Sequence, residues 1–389
     1  MRVASNPRSR WFLPLMAASG VTMSLTAPLE VIFVSEFWHS SLFIGIFMLS
    51  AAVGVIAVDV FGTRFVPNLD ARAALAVGLC LFGVACIGMG LASGGVVLMA
   101  SRVLQGLGGG VVLGAGLQAA VRVHSMGADV ARSLGRFNAA FLFGGAIGSP
   151  GGLLIAGIID GRFGYQVAFV VTGVLALLVA AVLAAAVPSL AAPSGMLPPR
   201  IGLPRFERIP GSGAALLLAM SGDFLRGGVL FTALPLAGAA RDYPTMTITV
   251  AIALMSGVEI VVLAVAYRLI QHVGMTSMLI ASFGLGTLCA ITLAVMPGAT
   301  TYLVVSALFG VSLAGATAGL PVLVVTHVGE SSAGLAKFRI SAGIGILAGS
   351  VGCAVLANQI GIAALFAVVA VVLLGSAQLA HFVGRRVAT

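Results

Sequence analysis

Six charged residues, Glu30, Asp59, Arg102, Asp223, Arg226 and Glu259, lie within apolar segments long enough to cross a membrane. A charge at the centre of such a segment costs roughly 3 kcal/mol or more unless it is paired, hydrated or turned toward a cavity. Two kinds of chemistry suit these residue types. A carboxylate screened from water can take up and release a proton near neutral pH. A carboxylate and an arginine together can bind a polar or charged group of a solute. Glu259, in M255-S-G-V-E-I, has no basic residue within one helical turn and is the foremost candidate for either task. Arg226, on the preceding segment, is a possible partner across the bundle.

The other five admit both a functional and a structural reading. Asp223 and Arg226 stand three apart in M220-S-G-D-F-L-R-G-G and would share a helix face. They can form a mutually neutralising ion pair, or a substrate site on a helix that Gly222, Gly227 and Gly228 loosen near its middle. Glu30 follows Pro28 in the outer third of the first segment. It is either a proton- or cation-binding carboxylate or a vestibule residue near water, accompanied by Glu36. Proline before it frees a backbone carbonyl, as in the broken helices that line cavities. Asp59, in the inner half of the second segment, can face a cavity or pair with an arginine from a neighbouring helix end. Arg102, in the outer third of the fourth, could snorkel to the interface, but Gln105 and the glycines after it argue for an inward face.

The elements that must position these groups are membrane helices. The chain of 389 residues is 60% hydrophobic and 8% charged, with 52 glycines and a single lysine, Lys337. A soluble chain would be about 25% charged, and so much glycine in apolar runs suits helices that pack closely in lipid. The net charge of +9 comes from scattered arginines, with no concentrated basic face, which excludes a nucleic-acid surface. Cys80, Cys86, Cys289 and Cys353 fall within apolar segments without CxxC spacing, and the histidines have no ligand company. The pattern calls for no metal and no cofactor. Apolar segments continue to the C-terminus, so the first is expected to be a retained helix rather than a cleaved leader.

At about 20 apolar residues per crossing, the sequence predicts twelve spans: 11–35, 42–64, 73–93, 96–121, 133–158, 165–188, 213–238, 245–268, 275–296, 300–326, 335–358 and 361–382. The one long connection, 189–212, is rich in proline and arginine and divides the chain into an N-terminal bundle, 1–188, and a C-terminal bundle, 213–389. Arginines gather at one set of helix ends, among them Arg64, Arg72, Arg122, Arg205 and Arg268, while the opposite set carries only Arg162 and Arg241. That asymmetry predicts an even number of spans with both termini cytoplasmic. Arg64 and Arg268, 204 residues apart, occupy equivalent places after the second and eighth spans, as an internal duplication would put them.

Three motifs carry a resemblance. R102-V-L-Q105-G106-L-G108-G109 lies in the fourth span, and G144-G-A-I-G148-S-P-G-G152 in the fifth. The loop after the second span reads T63-R-F-V-P-N-L-D70-A-R72. The chain resembles the major facilitator superfamily over essentially its whole length. The first motif is similar to the family's fourth-span pattern and the second to the glycine- and proline-rich antiporter motif, with Ser149 where proline is expected and Pro150 one place late. The loop departs from the family pattern: Pro67 and Asn68 stand at its Asp-Arg positions and Asp70 at its second glycine, so the cytoplasmic latch is weakened or rebuilt.

The resemblance implies an all-α membrane protein of twelve transmembrane helices in two pseudo-symmetric six-helix bundles. It implies a role for Arg102 near a proton pathway, and a cytoplasmic gate around Arg64, Arg72 and Arg268. Gln105, Gly106, Gly144, Gly148, Pro150 and Gly152 would serve conformational packing, the fifth span closing against the other half. The expected function is proton-coupled export of a small, partly hydrophobic molecule by alternating access, from a monomer in a bacterial cytoplasmic membrane. Its partners would be the solute, protons and lipid. Proton-coupled symport or facilitated uptake of a sugar or other metabolite is the alternative. An intramembrane enzyme lacks any recognised catalytic spacing, and a ligand-sensing receptor would bind solute without flux.

Overall fold

The structure is a computed structural model and describes residues 10–38, 40–65, 69–123, 130–159, 161–190, 212–295, 298–328 and 332–388. The described residues are helical apart from short turns. The first span is two helices, α1 (Phe12–Leu25) and α2 (Ala27–Phe37), meeting at Thr26. Pro28, at the second position of α2, has no amide to return to the preceding turn, which is why the break falls here. The next five are α3 (Ser41–Phe65), α4 (Ala71–Gly90), α5 (Gly95–Val123), α6 (Val130–Ile158) and α7 (Arg162–Ala186). The seventh span is composite: α8 (Ser212–Phe224), a π-helical segment (Leu225–Ala233) and α9 (Leu234–Ala239). Then come α10 (Thr245–Val273), α11 (Met275–Val295), α12 (Ala299–Val328) and α13 (Ser332–Ala388).

Among the described residues, ten helical stretches are long and apolar enough to cross a membrane, so this is a multi-pass membrane protein. One of them, Ile340–Arg385, is twice the length of a crossing and breaks at Gly361, where φ is 82°. A side chain would be strained there, and glycine lets the chain turn between two spans. With that division, and with α3, whose apolar part Phe43–Val58 is shorter, the described residues contain the twelve expected segments.

The chain separates into two compact units, Met1–Leu29 with Ser50–Leu203 and Glu30–Leu49 with Pro204–Thr389. A cut at 189–212 alone would differ by the segment 30–49; residues 191–211 of that connection lie outside the described residues. In the first unit α1 packs on α6, and α4 lies between α5 and α7. Phe12, Leu75, Phe137 and Leu183 fill its core, with the rings of Phe12 and Phe137 6.5 Å apart. In the second unit α13 packs on α8, the π-helical segment and α11, while α10 packs on α12.

The duplication is visible in how helices touch. A Cβ on Gly106 would collide with the carbonyl of Ala51, and one on Gly310 with the carbonyl of Met255. Both members of the second pair lie 204 residues after their counterparts. Likewise Gly144 and Gly148 abut Ala17 and Val21, and Gly345 and Gly349 abut Met220 and Phe224. In lipid, helices gain little from hiding apolar surface from one another, so this close approach through small residues is what holds each unit together.

Candidate functional site

The second unit brings three of the predicted intramembrane charges together. Arg226 makes an ion pair with Glu259 through Nη2 and Oε1, and its Nη1 reaches Oε2 at 3.5 Å. Thr317 of α12 completes a triangle: its Oγ1 accepts from Arg226 Nη2 at 3.1 Å and donates to Glu259 Oε1 at 3.3 Å. Glu259 is 3% exposed. A carboxylate so placed is tolerated because a guanidinium fork and a hydroxyl satisfy it.

The sequence around Arg226 sets its direction. It is the second residue of the π-helical segment, which contains Gly227 and Gly228. The carbonyl of Gly227 accepts two hydroxyls, from Thr232 five residues on (2.8 Å) and from Ser350 of α13 (3.1 Å). Both glycines lie against the α13 backbone, near Ile346 and Gly349. The loosening expected at these glycines is therefore a defined π turn clamped to a neighbouring helix. Such interruptions of α-helices are frequent at functional sites.

Asp223 departs from the expected ion pair with Arg226. Among the described residues its carboxylate has neither a hydrogen bond nor an ion pair within 4.0 Å, although it lies within electrostatic reach of both Arg226 and Glu259. The arginine has crossed to α10 instead of staying on its own helix face. Asp223 is half-buried, whereas Glu259 is sealed. Arg226 thus holds the sealed carboxylate, and the more open one stands outside the pair.

The first unit contains a second polar set. Arg102 donates to Oε1 of Gln105 one turn along α5. Gln105 Nε2 donates in turn to Thr26 Oγ1 at 3.0 Å and approaches Cys86 Sγ at 3.7 Å. Arg102 and Gln105 are both buried, so the inward face expected of them is observed. Thr26 is the residue at the break between α1 and α2, so the polar set attaches to the interruption of the first span. Glu30, 4% exposed, lies in the first turn of α2, where a helix N-terminus favours a negative charge. Asp59 and Arg64 belong to α3, but their side chains lie outside the described residues.

At the expected cytoplasmic ends, Asp70 gathers several hydrogen bonds, while Pro67 and Asn68 of the same loop lie outside the described residues. Asp70 caps α4 by accepting from the Arg72 amide at 2.9 Å. It also accepts from the Leu190 amide at 3.0 Å and from the Ser189 hydroxyl. Arg122 donates to the carbonyls of Leu190 (2.7 Å) and Leu69 (2.8 Å). Arg72 donates to the carbonyls of Ala184 and Val187, both at 3.3 Å, at the end of α7. Partial burial works against the Asp70 charge, but its hydrogen bonds from Ser189, Leu190 and Arg72 outweigh that and hold its carboxyl below the usual aspartate range. Desolvation lowers Arg122, partly offset by attraction to Asp70. Arg268, the other expected gate residue, is exposed, and its carbonyl contacts His272 Nδ1 at 2.7 Å.

The fifth-span glycines face a different helix from the one expected. A Cβ on Gly144, Gly148 or Gly152 would run into the carbonyls of Ala17, Val21 and Leu25 in turn, so this stripe seats α1 of the same unit. The four-residue spacing gave the face correctly, while the partner assigned to it through the resemblance does not hold. Pro150 lies within α6, and the preceding Ser149 donates back to the Gly145 carbonyl at 2.9 Å.

The sequence does not distinguish Thr26, Thr232, Thr317 and Ser350 from its other hydroxyl residues. Hydroxyls in apolar helices commonly bond their own helix four residues back, as Thr172 does to Ala168. Nothing in the chain marks the few that reach elsewhere, except that Thr26 stands next to Ala27 and Pro28.

The comparisons with known proteins agree with this architecture. The model of the Major Facilitator Superfamily matches residues 12–337. No curated protein matches the sequence. Among solved structures, the nucleoside transporter NupG superposes with a TM-score of 0.70 at 12% identity, covering 98% of this chain and 99% of that one. A bacterial homologue of the human lysosomal transporter Spinster, in an inward-facing and unoccupied conformation, gives the same TM-score and identity and covers 98% of both chains. At this identity the two share the fold with this chain.

Proposed function

Since the chain belongs to the major facilitator superfamily, and so is a membrane transporter rather than an enzyme, we propose that it is a proton-coupled secondary transporter. It exports a small, partly hydrophobic molecule by exposing a binding site to one side of the membrane at a time. The observation that carries this reading is that Arg226 pairs with Glu259 while Asp223, three residues away, stands outside the pair. One guanidinium balances one carboxylate. The second negative charge within the span needs a proton or a positively charged group, and exchange of one for the other couples solute to proton. Arg102, Gln105 and Thr26 form the corresponding polar set of the first unit, and Glu30 follows it on α2. Asp59, in the inner half of the second span by sequence, is a separate coupling candidate of the same bundle.

The working arrangement is two six-helix bundles, 1–188 and 213–389, joined by 189–212, with both termini cytoplasmic in a bacterial inner membrane and the protein acting as a monomer. Arg64, Arg72 and Arg268 mark the cytoplasmic gate. Export rests on the likeness of the Gly144–Gly152 stretch to the antiporter motif. Proteoliposomes under an imposed pH gradient, offered a panel of amines, nucleosides, sugars and amphiphilic compounds, test the reading. An exporter moves solute against an opposite proton gradient. Solute following protons in the same direction would establish symport, and flux indifferent to the gradient would establish facilitated diffusion.

A further inference from the structure

The choice of partner by Arg226 has a structural cause. Asp223 and Arg226 are three residues apart, a spacing that brings side chains together on a regular helix. Arg226 nevertheless pairs with Glu259 on α10. Between the two residues the helix changes from α to π, and the Gly227 carbonyl next to Arg226 is held by the Thr232 and Ser350 hydroxyls. In an α-helix that carbonyl would accept from the amide four residues on and in a π-helix from the one five on, and here the two hydroxyls add to it.

We propose that Ser350 and Thr232 are positioning residues for ion coupling: by holding the Gly227 carbonyl they keep the seventh span in its π turn, and the π turn directs Arg226 to Glu259 and Thr317 and away from Asp223. Ser350 is the more informative of the two, because it lies on α13. A displacement of α13 relative to the seventh span would withdraw its hydroxyl, let the turn tighten and return Arg226 to Asp223. Movement of one helix against another is thereby converted into exchange of the carboxylate that lacks a countercharge. This rests on the proposed function in taking the cluster as the coupling site, but the partner exchange itself is testable without a substrate.

The test compares Asp223→Asn and Glu259→Gln by thermal unfolding of purified full-length protein, in the natural background and in one carrying Ser350→Ala with Thr232→Val. In the natural background Glu259→Gln lowers the melting temperature more, because it strands a paired buried arginine. In the second background the difference shrinks or reverses, because Arg226 has turned to Asp223. A difference of the same size and sign in both backgrounds overturns the proposal. Should the doubly altered protein not fold, Ser350→Ala alone is compared with Ser350→Thr. The alanine variant narrows the difference and the threonine variant, which keeps the hydroxyl, restores it; equal behaviour of the two overturns the proposal. Proton-driven flux measured on Glu259→Gln separates the two levels. Its loss, with an unchanged difference in melting temperature, leaves the transport reading standing and removes only the positioning role.

Discussion

Arg226 crosses from the π turn of the seventh span to Glu259 on α10, passing over Asp223 three residues behind it. Glu259 is sealed and Arg226 largely buried, and the guanidinium and carboxylate hold each other there. Glu259→Ala is therefore expected to destabilise the protein by about 3–5 kcal/mol, the usual cost of leaving one partner of a buried pair unmatched. Thr317→Val, which removes one hydroxyl from the same triangle, is expected to cost about 1–2 kcal/mol. Chemical unfolding in detergent checks both. A cost for Glu259→Ala below that of Thr317→Val would contradict the geometry.

The glycine stripe of α6 offers a steric prediction. Gly148 abuts the Val21 carbonyl, part of the α1 backbone, which cannot swing aside as a side chain can. Gly148→Val is expected to lower stability by at least about 1–3 kcal/mol through overpacking. Gly257, on α10, meets nothing within 4 Å. Gly257→Ala is expected to leave stability unchanged or raise it by about 0.5–1 kcal/mol, since alanine is the better helix former. The yield of monodisperse protein and its melting temperature separate the two.

The Asp70 clamp predicts a pH dependence with a definite sign. The folded carboxyl is held below its ordinary range. Its contribution is therefore complete above the usual aspartate range and is lost as the pH falls through the depressed folded value. Asp70→Asn keeps an acceptor for the α4 cap but weakens the hydrogen bonds from Ser189 and Leu190. The weakened hydrogen bonds make the expected difference in stability between natural protein and Asp70→Asn about 1 kcal/mol at neutral pH. It should shrink toward zero in acid, as read by melting temperature against pH. A difference that grew on acidification would contradict this account.

Much of this architecture is legible in the sequence, because a membrane imposes length and polarity rules that apolar runs obey residue by residue. The twelve segments, the break near Pro28 and the inward face of Arg102 and Gln105 all follow from local pattern. The 204-residue offset inferred from Arg64 and Arg268 reappears in the Gly106–Ala51 and Gly310–Met255 contacts. Partner choice is harder to read. The spacing of Asp223 and Arg226 favours a local pair, and only the π turn, which depends on Ser350, 123 residues beyond Gly227, sends the arginine across. The glycine stripe likewise shows that one face of α6 is closely packed without showing that α1 packs there. Arg241, one of two arginines on the expected outer side, is engaged as well: it donates to the Leu293 carbonyl at 3.0 Å, near the end of α11, where a cation is favoured.

The central claim is that Glu259, paired with Arg226, and the nearby Asp223 couple proton movement to solute movement. The most direct measurement is solute flux in proteoliposomes at several imposed pH gradients, comparing the natural protein with Asp223→Asn and Glu259→Gln. The account predicts that flux through the natural protein follows the gradient. It predicts that at least one of the two variants still exchanges solute with no gradient but no longer responds to one. Full gradient-driven flux in both variants would contradict it.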